Sequence, residues 1–372
     1  MRRGPTMKPR VVVAMSGGVD SSVAAALLRE DGYDVVGVAM RLSADNAHPS
    51  AGARRACCSY EDFEDARRVA ERMDFPFYVV DMRDDFARTV IDPFVGDYLA
   101  GRTPNPCLAC NRWIKFDRLR RRAEALGANY IATGHYARIE RSAHGRFRLR
   151  RALDRQKDQS YFLFTLEQEE LARTLFPLGA MTKNEVRAKA RTLGLANADK
   201  PESQEICFVS ENGGSYRDFV SRHADPAKIK PGRIVDTNGA MLGLHDGIHR
   251  FTIGQRRGLG VTRPTPLYVR EIRPQSAEVV VSEREALGDR GLLASKVSLT
   301  DPSRASAHAM AVEVKIRYRH PLIPATLTLM ENGTAAVRFA THQPAVTPGQ
   351  ACVFYLGDEV LGGGIIEAPL RE

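Results

Sequence analysis

Apolar positions fall into two alternating rhythms along the first 210 residues. Short β-branched runs at 10–15, 35–40, 77–80 and 130–133 read as buried strands. Between them, longer amphipathic stretches such as 21–30, 61–73 and 116–126 read as helices. Another helix starts at Thr182, which has capping-box spacing with Glu185, and Gly194 can close its last turn. Strands alternating with helices predict a doubly wound α/β domain with a parallel sheet. Its ligand is expected beyond the C-terminal ends of the strands.

After about residue 214 the helical rhythm fades, and Gly, Pro and Asn-Gly turn signals arrive at short intervals, which predicts two small β units meeting near residue 287. Val312, Val314, Ile316 and Tyr318 alternate with Glu313, Lys315, Arg317 and Arg319, so one strand face reads apolar and the other mostly basic. Asn332-Gly333 then joins two apolar runs as a hairpin.

Composition narrows the class. With 43% hydrophobic residues, the 372-residue chain reads as a globular protein of two or three domains. No run approaches the roughly 18 apolar residues of a membrane helix, and the short apolar run after the basic N-terminus is no signal-peptide core. A cytoplasmic protein without membrane partners is therefore expected. The net charge of +9 is localised: residues 101–160 hold 15 Lys and Arg against 5 Asp and Glu, which leaves the rest of the chain near neutral. Such a patch suits a polyanion, because cations that neutralise phosphates release condensed counterions; a solvated basic face is the alternative.

The sharpest local pattern is VVVAMSGGVDSSVAAALL, a strand, a tight Ser16-Gly17-Gly18 loop and an Ala-rich helix. Glycines let backbone approach an anion, and the helix start adds free N–H groups and partial positive charge. Ser16, Ser21 and Ser22 add hydroxyls. No Lys follows the glycines, so this is not a Walker A loop and does not point to γ-phosphate hydrolysis. The pattern resembles the PP-loop of the ATP pyrophosphatase superfamily, which grips departing pyrophosphate and adenylates its substrate. That resemblance implies ATP contacts from Ala14, Met15, Ser16, Gly17, Gly18, Val19, Asp20 and Ser21, with Met40 and Gly134 at the adenosine end.

Two further segments, GRTPNPCLACNRWIKF at 101–116 and PESQEICFV at 201–209, resemble the cysteine segments of the MnmA family of bacterial tRNA 2-thiouridylases. The resemblance runs from about residue 10 to the C-terminus. It implies a PP-loop catalytic domain over 1–213, a small central domain over 214–286 and a tRNA-contacting C-terminal β-barrel over 287–372. It also implies catalytic cysteines at Cys110 and Cys207, ATP with Mg²⁺, a tRNA substrate read at the wobble uridine of Lys, Glu and Gln tRNAs, and a persulfide donor protein. Further tRNA contacts are implied at Asn105, Pro106, Cys107, His135, Lys157, Asp158, Gln159, Arg317, Tyr318 and Gln350. The chain carries Cys107 where the family pattern has an Asp that assists near the target base.

Six cysteines in so long a chain make no disulfide scaffold. The resulting Cys107-x-x-Cys110 admits other readings. A structural zinc needs two more ligands, and Cys57-Cys58 lacks finger spacing. An iron–sulfur cluster on Cys107, Cys110 and Cys207 is the stronger alternative. Cys57, Cys58 and Cys352 read as structural. Two other function classes stay open: a ligase that adenylates a small molecule, and an RNA-binding module with a regulatory nucleotide site.

Overall fold

The computed structural model describes residues 8–42, 60–201, 206–210, 214–261, 263–306 and 308–371. Cys57 and Cys58 lie outside these. The chain forms two compact units, one built from residues 1–89, 107–213 and 358–360, the other from 90–106, 214–357 and 361–372.

The first unit carries the expected strands: β1 (Arg10–Ala14), β2 (Asp34–Arg41), β3 (Phe77–Asp81) and β4 (Tyr130–Thr133). They form a parallel sheet in the order β3-β2-β1-β4, to which a two-residue strand at Thr174–Leu175 adds at the β4 edge. Strand order reverses between β1 and β4, so a crevice opens at their C-terminal ends, where doubly wound folds bind ligands. Helix α1 (Val19–Glu30) follows β1, and α2 (Tyr60–Arg72) precedes β3. Helix α3 (Lys183–Thr192) starts at the predicted box: Glu185 N–H donates to Thr182 Oγ1 at 3.3 Å, and Thr182 N–H to Glu185 Oε2 at 2.7 Å. Val11, Val13, Val23, Ala24, Val186 and Ala190, none of them exposed, share the core between sheet and helices.

Two local features depart from the sequence reading. The helix expected at 116–126 starts earlier, with an α-helical turn at Pro106–Ala109 that runs into a wide π-helical segment, Cys110–Arg118, and on into Leu119–Ala125. Ile114, Phe116 and Leu119, all fully buried, hold it. The basic stretch beyond β4 is partly an antiparallel hairpin of β5 (Ala137–Arg141) and β6 (Phe147–Arg151). Gly145, at φ +79°, turns it.

The second unit contains a four-stranded sheet between Gly232 and Ser282 and a barrel of six strands that starts at Gly288–Leu299 and closes against Glu359–Leu370. The Asn332-Gly333 hairpin forms, with Gly333 at φ +69° and Met330 paired to Thr334. The alternation expected through Tyr318 stops at Lys315: that strand is Met310–Lys315, Lys315 itself is buried, and Arg317 and Tyr318 lie beyond its end. Despite its β character this unit also has helices. Asp92–Leu99 packs on Tyr216–His223 through stacked Tyr98 and Tyr216, with ring centroids 4.7 Å apart.

Candidate functional site

In the first unit the loop after β1 is built to hold backbone donors open. Gly17 sits at φ +69°, and a Cβ there would lie 2.3 Å from the Asp62 carbonyl oxygen, so only glycine fits. Ser21 and Ser22 hydroxyls donate to Gly18 O at 3.1 and 3.0 Å, and Ser16 N–H donates to Ser21 Oγ at 3.2 Å. Ser16 itself stays exposed. Helix α1 begins with Gly18 as its N-cap and no side-chain cap bond, which leaves its first N–H groups directed at the crevice. Across the switch point, Gly134 comes so close that a Cβ would sit 2.7 Å from Ser21 N. Ala14, Met15, Val19 and Met40 are buried in the walls, Met40 at the end of β2.

Four residues that motif reading did not single out hold this loop. Asn197, 3% exposed, donates to Gly17 O at 3.0 Å and to Ser22 Oγ at 2.9 Å. Lys200 donates at 2.6 Å to both Asp62 Oδ1 and Asp65 Oδ2 and reaches Gly17 O at 3.4 Å. Lys183, 7% exposed at the start of α3, places Nζ 2.8 Å from both oxygens of Asp20, and the Tyr136 hydroxyl donates to Asp20 Oδ1 at 2.8 Å. Lys183 and Lys200 balance the carboxylates beside the loop, and Asn197 ties its backbone to the start of α1.

Cys110 opens the π-helical segment and is half-buried; Cys107, one turn earlier, is exposed. Beside Cys110, buried Asn111 donates to Phe162 O at 3.3 Å, and Arg112 bonds Thr165 O and Glu170 Oε1 at 3.2 and 2.6 Å. The segment's far end is tied by Arg118 to Asp85 at 3.4 Å. Cys207, half-buried, starts a short turn, Cys207–Ser210, whose Phe208 meets Phe86 edge to face at 5.7 Å. Both cysteine segments are thus anchored on one short helix, Arg83–Phe86. Among the described residues no three or more His, Cys, Asp or Glu side chains are arranged to hold a metal ion. Among these residues Cys107, Cys110 and Cys207 are thus not gathered as the ligands of a cluster.

The other residues singled out from sequence divide between the units. Lys157, Asp158 and Gln159 belong to the first. Asp158 is buried and accepts from Ala152 N, Ser160 N and Arg151 Nε, while Gln159 Oε1 accepts from Tyr136 N at 3.0 Å. Both shape the turn that displays Lys157. His135 is buried between Phe116 and Phe176 and shares a 2.7 Å hydrogen bond with Thr133 Oγ1. Burial, and secondarily the charge of Lys115, hold its pKa well below the usual imidazole range. Carboxylates neutralise part of the basic patch, as where Asp358 pairs with Arg155 and Arg138. In the second unit, Asn105 and Pro106 end the Gly-Arg-Thr-Pro-Asn-Pro run, and the Gln350 side chain donates to Thr103 O at 2.8 Å. Arg317 donates to Pro344 O, with Tyr318 beside it.

Three family models match in succession. The tRNA methyl transferase HUP domain covers residues 9–211, the tRNA methyl transferase PRC-barrel domain 217–283 and the aminomethyltransferase β-barrel domain 289–366. Among curated proteins, the tRNA-specific 2-thiouridylase MnmA of Geotalea uraniireducens is 52% identical over 362 residues, spanning 97% of this chain and 95% of that protein. That of Geobacter metallireducens is 50% identical over 98% of each. Solved structures also resemble the chain at a distance. One is a 4-thiouridine synthetase–RNA complex with bound ATP, at 17% identity and TM-score 0.35 over 57% of this chain and 50% of that one. Another is the U34-tRNA thiolase NcsA of Methanococcus maripaludis with its [4Fe-4S] cluster, at 18% and 0.35 over 61% and 71%. About half-identity over nearly the whole length of both proteins establishes that the chain belongs to the MnmA family of tRNA-specific 2-thiouridylases.

Proposed function

We propose that this enzyme replaces the 2-oxygen of the wobble uridine in tRNA with sulfur, at the expense of ATP. Near-full-length identity to proteins named tRNA-specific 2-thiouridylase carries this reading. ATP lies with its phosphates on the loop at Ser16 to Ser21 and its adenosine between Met40 and Gly134. Uracil O2 attacks the α-phosphate and pyrophosphate departs, which turns a poor leaving group into an AMP ester. Mg²⁺ travels with the nucleotide phosphates; Asp20 is the acidic side chain of the loop itself.

Sulfur arrives as a persulfide on Cys207, loaded by a partner such as a cysteine desulfurase or a sulfur-relay protein. Its terminal sulfur attacks C2. The Cys110 thiolate then attacks Cys207 Sγ, the S–S bond breaks, and its electron pair stays with the transferred sulfur. AMP leaves with the former O2, and a Cys110–Cys207 disulfide remains for a dithiol reductant to cleave. In the first unit the basic surface around Lys157 contacts the tRNA, with His135 and Gln159 supporting the turn beside it; in the second unit Asn105, Pro106, Arg317, Tyr318 and Gln350 supply contacts of their own. Such work belongs in the cytoplasm.

The test is mass spectrometry of nucleosides from an unmodified lysine tRNA transcript incubated with enzyme, ATP, Mg²⁺ and a persulfide donor. ATP-dependent 2-thiouridine, lost in Cys110→Ser and in Cys207→Ser, is expected. ATP turnover with a small metabolite and no thiouridine would move the assignment to a ligase.

A further inference from the structure

The chain has one tryptophan among 372 residues, and it is not in a core. Trp113 is 46% exposed on the segment that Cys110 opens, while Asn111, Ile114 and Phe116 around it are buried at 3%, 0% and 0%. The core uses the other side of this segment, which leaves the indole open to a contact from solvent. A half-exposed indole offers a large, rigid surface that is apolar on its faces and carries one N–H donor.

Its support is prearranged. The Arg112 guanidinium carbon lies 5.5 Å from the Trp113 ring centroid. Arg112 is fixed in turn by Glu170 Oε1 at 2.6 Å and Thr165 O at 3.2 Å. The indole therefore rests beside an anchored cation, which limits its rotamers and reduces the ordering cost of a contact made with its open area. The surrounding stretch, residues 101–160, carries net +10. An aromatic plane beside a cation, on a stretch of net positive charge, is a composition that captures unpaired bases, because every base has a π-face and every linker a phosphate.

We propose that Trp113 is a stacking platform for an unpaired base of the tRNA anticodon loop, at a nucleotide neighbouring the uridine presented to Cys110. This rests on the reading of the chain as a tRNA thiolase and adds a specific contact to it. The Trp113 contact holds the loop splayed less than one helical turn from the thiol. Its loss weakens tRNA binding and leaves ATP binding intact.

A single tryptophan makes the test direct. Titration with the unmodified lysine tRNA transcript should quench the emission with the midpoint seen in filter binding and shield it from acrylamide, whereas ATP alone should do neither. Trp113→Ala should weaken tRNA binding about tenfold, the size expected for one lost base–aromatic stack, and Trp113→Phe should stay within about threefold of wild type. Both sit on an exposed position and should fold normally. Full tRNA binding with unchanged emission and acrylamide access, or tRNA affinity intact in Trp113→Ala, overturns the stacking role and leaves thiolation standing. Quenching by the persulfide donor protein and not by tRNA overturns it equally, and marks a protein-docking surface. Wild-type protein that retains no tRNA at all would remove the functional reading and this contact together.

Discussion

Lys183 Nζ lies 2.8 Å from both carboxylate oxygens of Asp20 and joins the start of α3 to the first turn of α1. The lysine is 7% exposed, and the Tyr136 hydroxyl completes the cluster. Asp20 would otherwise place an uncompensated negative charge beside the loop proposed to hold phosphates, so the pair staples the domain and removes a repulsion that would oppose the proposed anion binding. Lys183→Met should destabilise the protein by about 2 to 3 kcal/mol, somewhat less than breaking a fully buried ion pair costs, because Asp20 keeps part of its surface in water. Urea unfolding measures this. Pyrophosphate release in the presence of tRNA should fall as well, and Asp20→Asn combined with Lys183→Met should cost less than the sum of the two.

Gly134 tests how closely the sheet must approach the helix start. A Cβ there meets Ser21 N at 2.7 Å and the Asp20 carbonyl carbon at 2.8 Å, and both are backbone atoms that cannot swing aside. Gly134→Ala should displace α1 from β4, raise the KM for ATP at least about tenfold and lower stability by about 1 to 3 kcal/mol. Gly96→Ala is the control. Nothing lies within 4 Å of its Cβ position inside the helix Asp92–Leu99, so it should leave KM unchanged and stabilise by about 0.5 kcal/mol.

The phosphate loop and its strand and helix could be read directly, because their signals are contiguous: an apolar run, two glycines and a helix start within twenty residues. The Thr182–Glu185 box was legible for the same reason. Lys183, Asn197 and Tyr136 were not. Each reaches the loop across more than a hundred residues, 163 for Lys183 to Asp20 and 180 for Asn197 to Gly17, so nothing near them in sequence marks the contact. The β5–β6 hairpin was hidden by its arginines, which read as a charged patch, although Leu149 is fully buried. Lys315 defeated the alternation rule in the opposite sense, being a charge on a buried position. The early start of the Cys110 segment escaped because its wide turn follows no 3.6-residue period.

Thiol accessibility gives a graded prediction. Cys107 is exposed, Cys110 and Cys207 are half-buried, and Cys352 is fully buried in the barrel, where burial raises its pKa well above the ordinary thiol value. Brief iodoacetamide treatment of reduced native enzyme, read by peptide mass spectrometry, should label Cys107 while Cys352 stays unmodified until denaturant is added. Early labelling of Cys352 would contradict the packing of the barrel core.

His135 makes stability depend on pH with a defined sign. Its ring is enclosed by Phe116 and Phe176, and burial, with a smaller effect of Lys115, holds its pKa well below the ordinary value. The folded state therefore keeps the neutral imidazole, whereas the unfolded chain takes up a proton near pH 6.5. Stability from this group is complete above that pH and is lost progressively as pH falls toward the depressed folded value, because protons then bind the unfolded chain preferentially. His245 and His249, also depressed mainly by burial, add to the same slope from the second unit. His135→Asn can keep a hydrogen bond to Thr133 Oγ1 but cannot titrate. Thermal unfolding of wild type should move to lower temperature between about pH 7 and 5. The Asn variant should fall less steeply over that interval, and equal slopes would show that the imidazole is protonated inside the fold.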